Sequence, residues 1–240
     1  MLSKKVLKDI QSLGLKKHRD ERGLFLAEGP KVVEELMQVA PSHIEKVYAL
    51  SSWTCAGEDV EIISEAELER VSLLKTPNQV ICVCRQFKSS RPDGASVTLY
   101  LDTVQDPGNF GTIIRIADWF GVKNIVCSNG CADMYNPKVV QSTMASISRV
   151  NVYYDREETW LEEQEAPVYA ATLHGKPLHH FSPAEAGILI IGNESKGVRE
   201  EWIKRATHPV TIPRRGKAES LNAAVATGIL LSHLLPNENE

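Results

Sequence analysis

The stretch Val97-Thr98-Leu99-Tyr100-Leu101-Asp102-Thr103-Val104-Gln105-Asp106-Pro107-Gly108-Asn109-Phe110-Gly111-Thr112-Ile113-Ile114-Arg115 reads as a strand, a loop and the opening of a helix. Val97 to Leu101 is apolar, and the loop that follows carries Pro107 and Gly108. From Phe110 to Phe120 the apolar residues Ile113, Ile116, Ala117 and Phe120 recur at i, i+3, i+4 and i+7, one stripe of a helix. Arg115 falls nearly opposite that stripe, so it faces solvent, a ligand or another subunit. Asn109 stands where a helix cap is expected. A capped surface helix would look the same, so the segment alone decides a local structure and not a function.

The same alternation extends outward from this unit. Downstream, strands are expected at Asn124 to Cys127, Arg149 to Tyr153, Val168 to Thr172, Gly187 to Ile191 and Pro209 to Ile212. Helices are expected within Pro137 to Ser146, at Glu157 to Gln164, around Arg199 to Arg205 and at Leu221 to Leu235. Strands alternating with helices imply an α/β domain, its mainly parallel sheet covered on both faces. Upstream, Lys4 to Ser12 and Pro30 to Val39 read as helices, the second with proline at its first position. Leu24 to Ala27, Ile44 to Leu50 and Gln79 to Arg85 read as strands. Ser64-Glu65-Ala66-Glu67 has the form of a capping box. The polar, turn-rich run Lys88 to Ala95 is the best linker. The expected domains are therefore residues 1–88, a small α/β domain, and residues 97–240.

With 42% apolar and 24% charged residues, the 240-residue chain has an ordinary globular balance and can bury a sizeable core. No apolar run is long enough to span a bilayer and no apolar segment marks a secretory signal, so no membrane partner is expected. The five cysteines are irregularly spaced and odd in number, which argues against a disulfide framework and for a reducing cytoplasm. Cys82 and Cys84 alternate along a strand and share a face, and Cys127 and Cys131 flank a turn; the ligands for a metal site are lacking. The net charge of −4 speaks against nucleic acid only until its distribution is read. Residues 1–31 hold Lys4, Lys5, Lys8, Lys16, Lys17, Arg19, Arg22 and Lys31 against four carboxylates, and residues 199–217 hold six basic residues against Glu200 and Glu201. Such clusters can contact phosphates.

Two further segments leave strands in the same way. Ile188 to Ile191 runs into Gly192-Asn193-Glu194, and ligands of parallel sheets bind beyond the carboxyl ends of strands. Gly192 would let a ligand approach the backbone. Val210-Thr211-Ile212 runs through Pro213-Arg214-Arg215 to Ser220-Leu221-Asn222, where Ser220 is a candidate cap. The helix beyond is apolar nearly all round, so it is buried in the core or against a second subunit. Asn222 in its first turn needs a partner if buried.

Together the three segments closely resemble the three motifs of the SpoU (TrmH-like) RNA ribose methyltransferases of the SPOUT superfamily, over residues 97 to 235. The resemblance implies a trefoil-knotted α/β domain, S-adenosylmethionine as cofactor, RNA as substrate and a homodimer with a shared site. It places the family's catalytic positions on Asn109, Arg115, Glu194, Ser220 and Asn222, and its cofactor-holding loops on Thr172, Gly192, Ile212 and Leu221. Ser195 and Arg214 stand where the family commonly has Gly and Met. Residues 1–88, with Lys16-Lys17-His18-Arg19 and Leu24 to Gly29, resemble the ribosomal-protein-like RNA-binding domain that precedes many of these enzymes. RNA contacts are accordingly expected at Lys16, Lys17, Arg19, Arg214 and Arg215. By that analogy the RNA is ribosomal, with transfer RNA the alternative.

A guanidinium is a poor general base. Arg115 is therefore expected to stabilise a developing alkoxide, with Asn109, Ser220 and Asn222 positioning the ribose and Glu194 orienting Arg115 or nearby amides. Three other readings compete: an RNA-binding protein that keeps the fold without activity, a base methyltransferase, and a nucleotide-dependent oxidoreductase. The last lacks any Gly-x-Gly-x-x-Gly run after a strand.

Overall fold

The computed structural model describes residues 1–54 and 59–236, and it divides into two units. Cys55 and the tail Asn237 to Glu240, read from the sequence as frayed, lie outside the described residues.

Unit 1 holds residues 1–88 and 133–148. Its sheet has the order β1-β4-β2-β3, formed by Leu24–Glu28 (β1), Ile44–Ala49 (β2), Val60–Ile62 (β3) and Val80–Arg85 (β4). β4 runs antiparallel to both β1 and β2. Helix Lys4–Ser12 (α1) starts where Ser3 Oγ accepts the Val6 amide at 3.2 Å. It turns Leu7 and Ile10 onto Leu68 and Val71 of Glu65–Val71 (α4) and onto Ile81 and Val83 of the sheet. The capping box is present: Ser64 and Glu67 exchange hydrogen bonds at the start of α4. Backbone amides of Ser64 and Leu2 and the Ser64 hydroxyl hold the Glu67 carboxyl down at about 2. Pro30–Val39 (α3) forms as its leading proline suggests.

Three features of unit 1 differ from the sequence reading. Lys16–Arg22 is a helix (α2) with no apolar stripe, and Gly23 ends it in the left-handed region at φ 63°. It is held by Arg19, which is 2% exposed. The Arg19 guanidinium donates to the carbonyls of Leu13 (2.8 Å) and Gly14 (2.9 Å) and pairs with Asp133. The third difference is that residues 133–148 belong to this unit and not to the one whose sequence surrounds them. Their helix Pro137–Thr143 (α6) packs on β1, and the Tyr135 ring packs at a tilt against Phe25, with centroids 4.9 Å apart.

Unit 2 holds residues 89–132 and 149–236 of the described chain. Its six strands are Thr98–Leu101 (β5), Asn124–Cys127 (β6), Asn151–Tyr154 (β7), Val168–Pro177 (β8), Ile188–Ile191 (β9) and His208–Thr211 (β10). They lie in the order β10-β8-β9-β5-β6-β7, and every pairing is parallel. β5 and β9 are buried throughout, as expected of central strands covered on both faces. Because the strands run one way, the segments that leave β5, β6, β9 and β10 gather at one sheet edge. β8 contributes there through a bulge, since its pairing with β10 jumps from Ala170 to Lys176.

Helix Pro107–Trp119 (α5) follows β5, and its cap is Asp106, whose Oδ1 accepts the Asn109 amide at 2.8 Å. The cap thus lies three residues before the expected Asn109, because Pro107 supplies a fixed φ for the first helical position. Glu200–Arg205 (α7) follows β9. Ala223–Leu234 (α8) packs on α5 and is capped by Asn222, not by Ser220. One face of α8 buries Ala223, Ala224, Thr227, Leu230, Leu231 and Leu234, while Val225 and Ile229 on another face are exposed. The helix expected at Glu157 to Gln164 is only a 3-10 turn at Leu161–Glu163. There the Asp155 carboxylate captures the Trp160 amide at 2.8 Å and Glu158 takes a left-handed φ of 56°. Among the described residues no helix is long and apolar enough to cross a membrane, and no group of three or more His, Cys, Asp or Glu is placed to hold a metal ion.

Candidate active site

Three loops at the sheet edge of unit 2 are joined by one chain of hydrogen bonds. Glu194, in the loop after β9, accepts the amides of Asp106 (3.1 Å) and Gln105 (3.4 Å) and the side-chain Nδ2 of Asn109 (3.2 Å). Asn109 Oδ1 accepts Asn222 Nδ2 at 2.7 Å. Asn222 Oδ1 accepts the Ala224 and Val225 amides at the start of α8. The two ends of this chain fix its polarity: a carboxylate only accepts and helix N-terminal amides only donate. Both asparagine amides are therefore oriented, and each keeps one N–H for a further partner.

The chain borders a groove of about 570 Å³ between α5 and α8, lined by Asn109, Thr112, Ile116, Asn222, Val225 and Ile229 among others. Arg115 is exposed on α5, within one turn of Thr112 and Trp119, and makes no hydrogen bond or ion pair with the described residues. Glu194 orients the amides of the β5 loop and makes no bond to Arg115. Ser220 is exposed and likewise makes no hydrogen bond among the described residues.

The other expected positions sit on the same edge. Thr172 is half-buried in the β8 bulge, where its Oγ1 accepts the His174 amide at 3.4 Å. Ile212, half-buried, follows β10, and Leu221 is 50% exposed. Gly192 is required by the loop's own path. A Cβ there would lie 2.1 Å from the Gly197 carbonyl carbon and the Val198 nitrogen, so the loop's own returning backbone fills the space.

Of the residues assigned to phosphates, Lys16 and Lys17 are exposed but pair with Asp20 and Glu21 one turn on. Arg214 and Arg215 are exposed, and Arg214 donates to the Ala218 carbonyl at 3.1 Å. Arg19 does not fit that role, because its guanidinium is buried inside unit 1.

Sequence reading also passed over Asp102 and Arg199. Asp102 is fully buried and takes both the amide and Nε of Arg199. Burial works against the Arg199 charge, but the Glu158 and Asp102 carboxylates outweigh it and hold the guanidinium above its ordinary range. The signal was available: a carboxylate directly after a largely apolar, buried strand must find a partner.

The geometry agrees with comparisons to known proteins. The model of the SpoU rRNA Methylase family matches residues 96–232, and that of the MRM3-like substrate binding domain matches residues 4–82. The 23S rRNA (guanosine(2553)-2'-O)-methyltransferase RlmP of Bacillus subtilis is 33% identical over 238 residues, 95% of each chain. The 23S rRNA (uridine(2479)-2'-O)-methyltransferase of Streptomyces viridochromogenes is 29% identical over 91% of this chain and 85% of its own. The solved structure of an AdoMet-bound rRNA methyltransferase from Sinorhizobium meliloti superposes with a TM-score of 0.82 at 30% identity, covering 96% of this chain and 94% of that one. With the family model matched over residues 96–232 and a relative 33% identical along nearly its whole length, this chain, with its parallel sheet, is a member of the SpoU rRNA methylase family.

Proposed function

We propose that the protein transfers a methyl group from S-adenosylmethionine to a ribose 2′-hydroxyl of ribosomal RNA. The observation that carries this is the Glu194–Asn109–Asn222 chain, which presents two oriented amides beside a groove, with Arg115 next along α5 to its lining residue Ile116 and unpaired among the described residues. The named substrates of the Bacillus and Streptomyces relatives point to large-subunit ribosomal RNA.

The loops fit the cofactor. Leu173 and Leu221 are 64% and 50% exposed on the β8 bulge and the loop before α8, apolar side chains that the protein's own packing leaves without cover. With the backbone at Thr172, Gly192 and Ile212 they would hold the adenosine part of S-adenosylmethionine, which when bound supplies an electrophilic methyl carbon. The remaining work falls to the chain. The free N–H groups of Asn109 and Asn222 position the ribose, and Ser220 adds a hydroxyl on the same loop. Arg115 stabilises the oxyanion as the 2′-hydroxyl passes its proton to solvent water and its oxygen bonds the methyl carbon in place of the cofactor sulfur, the kind of preorganised charge that is worth most in the transition state. Exposed Lys16 and Lys17 in unit 1 and Arg214 and Arg215 in unit 2 contact phosphates.

The same proposal includes a homodimer. Trp119 is 84% exposed on α5, and Val225 and Ile229 are exposed on α8. These residues suit burial against a second copy, with Arg115 on the flank of that face. The trefoil knot and a cytoplasmic location are part of this reading too, supported by the family membership.

The test is methyl transfer from labelled cofactor to ribosomal RNA, with the product mapped by resistance of the 2′-O-methylated linkage to alkaline cleavage. Arg115→Ala should lower kcat by about 10²–10³, the usual effect of removing one oxyanion donor, and leave cofactor affinity within twofold. An Arg115→Ala protein with full turnover would refute the assignment.

A further inference from the structure

The loop after β9 is gripped at its base by a partly exposed charge cluster, built on the buried Asp102, that methyl transfer itself does not use. Asp102 follows β5 with no exposure to solvent. Its Oδ2 accepts the Arg199 amide at 2.8 Å and its Oδ1 accepts Arg199 Nε at 2.7 Å. Arg199 Nη1 donates to Glu158 at 2.8 Å and lies 3.0 Å from Glu201. The guanidinium rests over the Trp202 ring, 5.3 Å from its centroid. Glu158 in turn accepts the Asn129 amide, in the turn after β6, at 2.9 Å. It does so from a left-handed backbone at φ 56°, a conformation that a residue with a side chain keeps only when its surroundings hold it there. One guanidinium therefore gathers the segments that leave β5, β7 and β9, and through Glu158 the turn after β6.

The loop it anchors is stiff within itself. Asn193 and Gly197 exchange backbone hydrogen bonds at 3.1 and 2.9 Å, and Asn193 Oδ1 accepts the Ser195 and Lys196 amides. Its height against the β5 loop is set at the base by Asn193 Nδ2 on the Thr103 carbonyl (2.7 Å) and by Arg199 on Asp102. Glu194 stands between these anchors and orients Asn109. A shift at Arg199 would therefore move Gly192 and Glu194 as one body.

Resting on the reading of this loop as cofactor-holding, we infer that Arg199 is a positioning residue for methyl transfer. It sets the 192–198 loop against the 102–109 loop and so shapes the cofactor cleft, without touching cofactor or RNA. The role needs the planar fork of arginine, because one nitrogen must meet Asp102 while another meets Glu158; a lysine offers a single point charge.

The experiment compares full-length wild type, Arg199→Met, Arg199→Lys and Glu158→Gln by calorimetric titration with S-adenosylmethionine and by steady-state kinetics on ribosomal RNA. Arg199→Met and Arg199→Lys should each raise the cofactor KM tenfold or more, leave the RNA KM within twofold and lower kcat by a smaller factor. Glu158→Gln leaves the Arg199–Asp102 pair in place. It should raise the cofactor KM at least threefold, and it carries the test if the Arg199 variants do not fold. Folded variants with cofactor KM within twofold of wild type, or with cofactor and RNA KM rising together, would overturn the inference. Wild type that fails to bind S-adenosylmethionine would instead defeat the functional reading, and this inference with it.

Discussion

Replacing Arg19 by methionine keeps the length and apolar stem of the side chain and removes only its guanidinium. That group bonds the Leu13 and Gly14 carbonyls and the Asp133 carboxylate, and the Arg19 and Asp133 side chains are 3% and 14% exposed. Losing one partner of a buried ion pair costs about 3–5 kcal/mol. The partial exposure of Asp133 lets water reach it, which favours the lower end, about 3 kcal/mol. For a chain of this size each kcal/mol moves the melting temperature by about 2–4 °C, so the variant should melt roughly 6–12 °C below wild type by circular dichroism. Lys17→Met is the control: its exposed pair with Glu21 spans 3.9 Å, and such pairs contribute about 0–1 kcal/mol. RNA affinity measured below both melting points should be unchanged in Arg19→Met, with the same dependence on salt. Loss of a phosphate contact would instead reduce the salt slope by about one. An Arg19→Met protein that melts within 1–2 °C of wild type and binds RNA more weakly, on the same scale, would refute the structural assignment.

Gly192→Ala places a Cβ against the Gly197–Val198 backbone, so the loop must shift; the expected cost is about 1–3 kcal/mol of stability, with weakened S-adenosylmethionine binding by calorimetry. Burial raises the Glu28 carboxyl above its ordinary value despite its bonds to Ser72 and the Leu73 amide. The folded state thus holds that proton more tightly than the unfolded chain, so stability is greater below the unfolded pKa and falls as pH rises through the folded one. In Glu28→Gln that fall is absent, and the melting temperature of the variant relative to wild type should climb between pH 4 and pH 7; a constant difference would contradict it. Val225→Glu combined with Trp119→Glu should convert a dimer into a 26.6 kDa monomer in light scattering, and wild type already monomeric would remove the proposed interface.

Much of this architecture could be read from residue order because it rests on local rules. Ser64 and Glu67 announce α4, Pro30 announces α3, and the alternation around β5 and α5 implies a parallel sheet. The candidate site was legible only through the resemblance of three segments taken together, and hydrogen bonds join Asn109, Glu194 and Asn222 from all three. What the reading missed depends on contacts between distant residues. Arg19 looks like one more cation in a basic run, and only Asp133, far along the chain, shows it to be internal. Residues 137–143 form a helix as expected, but nothing in their pattern says that they pack on β1. Caps were misplaced where two candidates compete: Asp106 outranks Asn109 because the proline follows it, and Asn222 outranks Ser220 because its amide also reaches Asn109. The helix expected after Glu157 fails because Asp155 and Glu158 are committed to other partners.

The order of the parallel sheet also bears on how the protein comes to be folded. Thr98 lies opposite Ile188 at the centre of the sheet, so β5 and β9 meet only after the intervening chain, with β6, β7 and β8, has been formed or looped out. Closing so long a loop before the pairing rewards it is slow. Until then two largely apolar strands lie with open edges, the condition under which partly assembled chains stick to one another. A rapid dilution from denaturant should therefore yield aggregates at high concentration and native protein at low concentration.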